Sequence, residues 1–373
     1  MMAAFRGIIV NFVRFNNNGL FITQFDMRLK KLLLTAGVLV PVTLAAQPAV
    51  SHTGSRGYLE RARLMYESYN YVGAIDQLNH LFTLPDAGEV AEEAELLKAL
   101  SLFERGEGRS LDELIAFIEN HPTSPLATTA QMKIGNYYFY RGDWENALLS
   151  YSLVRERAQD ADSDEDLLYR QAYCHLRLGN MDDAQALYNK LSATRRYGAA
   201  TQFYQAYIDY ANGDYDMALD RFLHIKADGE LEYQSQYYIT QIKYHQHKYA
   251  DVIAQGTVLL SEQNNDYFDA ELNRMVGESY YHQGNEAQAR VYLKRYFDSP
   301  EGEIYRTAAY TMGVLDYKDG NYDRTINLMP LATGQDDALA QSAWLYLGQA
   351  KLKINDVNCA ARAFEQAAAM RHD

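Results

Sequence analysis

A short turn signal recurs along this chain every 34 to 37 residues, and that spacing restricts the possible folds more than any other feature. Taking the first turn residue as anchor, the positions are Tyr69, Gly106, Gly142, Gly179, Gly213, His247, Gly284, Gly320 and Asn355. In five of them a glycine stands directly before Asn or Asp, as in Arg141-Gly142-Asp143-Trp144 and Asp319-Gly320-Asn321-Tyr322. Gly followed by Asn or Asp stops one helix and starts the next. A chain of 373 residues would otherwise be expected to form two or three globular domains; a repeat array replaces that expectation.

The rest of each unit keeps the same register. Seven residues before the anchor sit Ala62, Ala99, Gly135, Ala172, Ala206, Thr240, Gly277, Gly313 and Gly348, all small. Three before it the residue is large, from Tyr66 and Phe103 to Tyr317 and Leu352. Five after it stand Ala74, Leu111, Ala147, Ala184, Ala218, Val252, Ala289, Thr325 and Ala360. Nine after it the residue is large and apolar in eight units, Gly256 being the exception. Positions −7 and −3 share one face of a first helix, and +5 and +9 share one face of a second. Each unit therefore predicts a helix hairpin that must stack on its neighbours to bury its apolar face.

Residues Ile134-Gly135, Tyr138, Gly142-Asp143-Trp144, Ala147 and Tyr151 carry the resemblance furthest, and the pattern resembles the tetratricopeptide repeat. The resemblance spans about residues 56 to 370 and implies an all-α, right-handed superhelical solenoid of about nine hairpins. Its turn and packing positions here are Gly135, Gly142, Ala147, Gly179, Ala184, Gly213, Ala218, Gly277, Gly284, Gly313, Gly320 and Gly348. The segment from Phe117 through His121-Pro122-Thr123-Ser124-Pro125 is similar to periplasmic repeat proteins of the outer-membrane assembly and Tol-associated type.

The resemblance implies that positions −10, −6, −3 and −2 of the first helices line a concave face. In units four to six these are Tyr169, Tyr173, Phe203, Tyr207, Tyr210, Tyr237 and Tyr244, with Tyr281, Tyr310 and Tyr317 beyond. With 31 tyrosines in the chain, two readings stand open: a groove for a protein or peptide partner, or packing between helices. Carboxylate-clamping members use Lys and Asn at −10 and −6, whereas unit three has Met132 and Asn136 there.

Residues 27–47 have the layout of a secretory signal, with Arg28, Lys30 and Lys31 ahead of an apolar run from Leu32 to Leu44. Cleavage near Ala46 and a translation start at Met27 are expected, leaving a linker over 47–55 and the array over 56–370. No cysteine follows the run, so a soluble periplasmic protein without lipid anchor is expected. Removing 1–46 takes away Arg6, Arg14, Arg28, Lys30, Lys31 and Asp26, so 35 basic and 49 acidic residues become 30 and 48, a net charge of −18. That balance argues against nucleic acid and anionic membrane as partners.

The chain lacks the phosphate-loop, dinucleotide, H-E-x-x-H and G-x-S-x-G signatures, so no enzyme, cofactor or metal is expected. His245 and His282 share position −2 of adjacent units and could face each other across a metal, though a solvated surface is the plainer reading. Cys174 is expected to be a buried free thiol, unconnected to Cys359. The last unit ends in Ala367-Ala368-Ala369-Met370 without a polar covering helix. Self-association there, or a continuation that makes this the docking or sensor part of a longer protein, is the alternative to a self-contained scaffold.

Overall fold

The computed structural model describes residues 54–106, 110–157, 164–194, 196–226, 229–261, 266–299 and 304–372. The expected signal and start at Met27 lie outside them. The chain divides into two compact units, Met1–Thr201 and Gln202–Asp373. In the first, α1 (Ser55–Glu67) pairs with α2 (Tyr71–Leu81), α3 (Ala91–Arg105) with α4 (Ser110–Asn120), α5 (Ala127–Tyr140) with α6 (Trp144–Arg157), and α7 (Glu165–Arg177) with α8 (Met181–Leu191). The division falls inside α9 (Gly198–Asn212). In the second unit α9 precedes α10 (Tyr215–His224), α11 (Glu230–His245) pairs with α12 (Tyr249–Ser261), α13 (Asp266–His282) with α14 (Glu286–Asp298), α15 (Arg306–Lys318) with α16 (Tyr322–Ala332), and α17 (Ala338–Lys353) with α18 (Val357–Ala369). Among the described residues there is no strand, and the all-α expectation of about nine hairpins stands.

All nine anchor residues have left-handed backbone, with φ between +58° at His247 and +87° at Gly213. The reason is a repeated pair of hydrogen bonds. Gly142 N–H donates to the Phe139 carbonyl (3.1 Å) and Asp143 N–H to that of Tyr138 (3.0 Å), and the same two bonds recur at Gly179, Gly284 and Gly320. They satisfy carbonyls that the helix end would leave orphaned, and they require one left-handed residue. At some of the turns the Asn or Asp that follows also caps the next helix: Asn70, Asn285 and Asp356 accept from the backbone N–H of Gly73, Gln288 and Cys359.

Packing follows the small and large positions. All nine −7 residues are buried, and eight of the nine +5 residues are wholly so, with Leu111 half-exposed. Where −7 is glycine the +9 side chain of the same hairpin fills its space. A Cβ on Gly135 would lie 2.6 Å from Tyr151, one on Gly277 2.8 Å from Leu293, and one on Gly348 2.6 Å from Phe364. The core is thus a row of local clusters. Leu59, Ala62, Ala74, Leu78 and Leu81 close the first hairpin together with Ala94 of the second. Burying each such leucine contributes about 1.5–3 kcal/mol.

Candidate interaction surface

The tyrosines expected to form a groove are, for the most part, core. Tyr173 is 3% exposed and Tyr207 4%, and Phe203, Tyr210 and Tyr237 are equally buried. Tyr238, on α11, draws three of them together: its ring lies flat on Phe222 (5.4 Å, 4°) and meets Phe203, Tyr207 and Tyr210 edge-on at 5.2 to 5.9 Å. Tyr237 packs on Phe268 at 4.2 Å and its hydroxyl accepts from Gln241. Tyr173 meets Phe139 and Trp144, and its hydroxyl accepts from Arg177. This corrects the groove reading for those five residues. An aromatic ring at these spacings fills the gap between successive first helices, and the helices exclude water from it. Tyr169 and Tyr244 stay half-buried, Tyr169 stacked on Tyr197 at 4.5 Å.

A charged network occupies the corresponding places one hairpin further on. Arg274 stands at −10 and Glu278 at −6 of α13, both buried. Arg274 Nη1 is 2.6 Å from Glu278 Oε2, and its Nε donates to Glu271 at 3.0 Å. The guanidinium lies over the rings of Tyr305 (4.3 Å) and Tyr244 (5.1 Å), and the Tyr244 hydroxyl donates to Glu278. The hydrophobic pattern hid these three charges; their i, i+3, i+7 spacing was the available signal.

A second arrangement recurs at the joints between hairpins. At four of them the residue two after one turn contacts the residue two before the next. Arg177 lies 4.7 Å over Trp144, His245 is flat on Tyr215 (5.1 Å, 7°), His282 is flat on Tyr249 (4.3 Å, 8°), and Lys318 is ion-paired with Glu286. His245 and His282 thus each have a tyrosine partner of their own instead of facing each other across a metal. Among the described residues no three His, Cys, Asp or Glu side chains come close enough to hold an ion. Burial depresses the protonation of both imidazoles; Arg274 adds to this at His245, whereas Glu278 opposes it at His282.

Exposed apolar surface appears on α17, the first helix of the last hairpin. Leu345 is 42% exposed and Leu352 46%, at −10 and −3 of α17. They stand seven residues apart on one helix face. Tyr346 meets Tyr310 at 6.1 Å and Tyr317 at 5.4 Å, edge-on, and all three rings are half-buried. Lys318 and Lys353 occupy −2 of the same two helices and are exposed. Both cysteines are free, and burial pushes the Cys174 thiol up to about 12, so it holds no reactive thiolate. No helix among the described residues is long and apolar enough to cross a membrane.

Residues 166–194, which span α7 and α8, match the tetratricopeptide-repeat family. No curated protein matches the chain. Among solved structures it is similar to a tetratricopeptide repeat protein from Parabacteroides merdae, at 15% identity and a TM-score of 0.43, over 81% of this chain and 99% of that one. It is also similar to the apo form of RapI (12%, 0.49) and the apo quorum sensor NprR from B. thuringiensis (14%, 0.49), each over 85% of this chain and 97% of the other.

Proposed function

We propose that this chain is a non-catalytic protein-interaction scaffold, exported to the periplasm, that binds a peptide segment on the first helices of its last two hairpins. The observation that carries the reading is the exposure of Leu345 and Leu352 beside the half-buried Tyr310, Tyr317 and Tyr346. Large apolar side chains left in water next to semi-rigid aromatic rings suit a partner's apolar anchors. Tyrosine adds a hydroxyl that tolerates bound water at the rim. The export part rests on the basic and apolar layout of residues 27–47.

In-cell photo-crosslinking from position 317 tests the surface, with a probe at the exposed Asp220 on α10 as control. A discrete adduct from 317 alone supports the reading and supplies the partner. Adducts from neither position, or equally from both, overturn it. Fractionation of the same cells tests export, since a protein retained in the cytoplasm at full length contradicts it.

A further inference from the structure

The two histidine joints differ from the other joints in one respect: their charge changes in the range where imidazole titrates, about pH 5 to 8. The joints of Arg177 on Trp144 and of Lys318 on Glu286 contain no imidazole. His245 and His282 sit at successive joints of the second unit, so α9–α10, α11–α12 and α13–α14 are linked by two parallel imidazole–phenol stacks.

We propose that these two stacks form a pH-responsive hinge, closed when His245 and His282 are neutral and loosened when they are protonated. The inference is independent of the peptide-binding reading.

The surroundings give the direction. His245 is faced by the rings of Tyr210 on α9, Tyr215 on α10 and Tyr244 on its own helix. Arg274 and Glu271 of α13 and His247 of the following turn also act on it, and Asp216 of α10 is bonded by the neighbouring Gln246. His282 is faced by Tyr249 of α12, with Tyr281 and Glu278 on its own helix and His247 across the joint. The His247 ring shares a hydrogen bond with the Tyr249 hydroxyl at 2.9 Å, so a third imidazole abuts the second stack.

Glu271 and Glu278 would welcome a proton on the rings, but Arg274 and Tyr244 already engage Glu278, and Arg274 also binds Glu271. Desolvation at the joint prevails, and the seated rings favour the neutral form. Linkage then fixes the consequence. A proton bound more weakly in the seated state than in the released one must shift the population toward release.

The test is hydrogen–deuterium exchange on the full chain at pH 7.5 and pH 5.0, corrected for intrinsic exchange. We expect protection in α11 and α13 to fall several-fold at the lower pH, while α15 and α16, which carry no histidine, change little. In the His245→Phe, His282→Phe double variant the flat stacks remain and the pH response of α11 and α13 should vanish. Equal responses in variant and wild type, or no response in wild type, overturn the proposal. Should the variant not fold, NMR titration of the wild-type imidazoles decides: midpoints at or above about 6.5, the value of a free histidine, also overturn it.

Discussion

Thr240 and Gly256 face each other across the sixth hairpin with their small and large roles exchanged. Elsewhere −7 is Gly or Ala and +9 is large; here the −7 residue carries the extra atoms, and its Cγ2 would lie 3.8 Å from a Cβ at 256. Val276, from α13, fills the space that the missing +9 side chain leaves, at 2.6 Å from the same point. The exception in the repeat is therefore a compensated one.

That compensation makes Gly256 as intolerant as the −7 glycines. Gly256→Ala should destabilise by about 1–3 kcal/mol, the usual cost of overpacking a filled core. Gly256→Ala with Val276→Ala should recover part of the loss, because the two changes share one contact. Urea midpoints of the three variants measure it, and no recovery in the double variant would remove Val276 from the explanation.

The turns permit a stabilising change. Tyr69 is exposed and held at φ +62°, a conformation costing a residue with a Cβ about 1–2 kcal/mol. Tyr69→Gly should therefore stabilise, less whatever its edge contact with Tyr71 contributes. Gly142→Ala should do the reverse by a similar amount. Thermal midpoints moving in the same direction for both variants would contradict the account.

Such positions show why the fold was legible. The turn anchors, the −7 small residues and the +9 large ones are set by backbone chirality and close approach, and both act through residue type. The surface was less legible because Tyr serves equally as packing and as contact. Tyr210 and Tyr317 both stand at −3 of a first helix, and Tyr238, a residue off the expected face, packs over the first of them. The joints were hidden for another reason. The link from Tyr249 to His282 crosses from one repeat into the next, so no single repeat displays it.

Removing a core tyrosine and removing a surface leucine should consequently have opposite signatures. Tyr207→Ala should cost about 3–5 kcal/mol, as truncating a buried aromatic does, and should weaken binding only through unfolding. Leu345→Ser with Leu352→Ser should leave the urea midpoint nearly unchanged, within about 0.5 kcal/mol per site, and abolish the crosslink from position 317. Loss of stability in the leucine variant would show those side chains to be core after all.

The charged network predicts strong non-additivity. Arg274→Met leaves Glu278 buried beside Glu271 without its cation, and a loss of about 3–5 kcal/mol is expected. Glu278→Leu combined with Arg274→Met should cost less than either change alone predicts, because no buried charge is stranded at that pair. The Oε1 atom of Glu278 has no hydrogen-bond partner, which further lowers what the native carboxylate contributes. Additive losses in a double-mutant cycle would show that the pair does not act as a unit.

Stability should fall in two separate windows of pH. His175, His245 and His282 all protonate less readily in the folded chain than at the usual value of about 6.5, with burial the first cause of each. Between that value and their lowered folded values the unfolded chain binds more protons, so stability declines as pH falls through that interval and then levels. Asp337 behaves differently: Arg306 holds its carboxyl down to about 2, so its stabilisation is intact above the usual carboxylate range and is lost only as pH drops toward 2. Urea unfolding at pH 7.5, 5.5 and 3 should resolve both steps. His245→Phe with His282→Phe should shrink the first step and leave the second, whereas Arg306→Gln should shrink the second alone. A single continuous decline, unaffected by either variant, would refute the assignment.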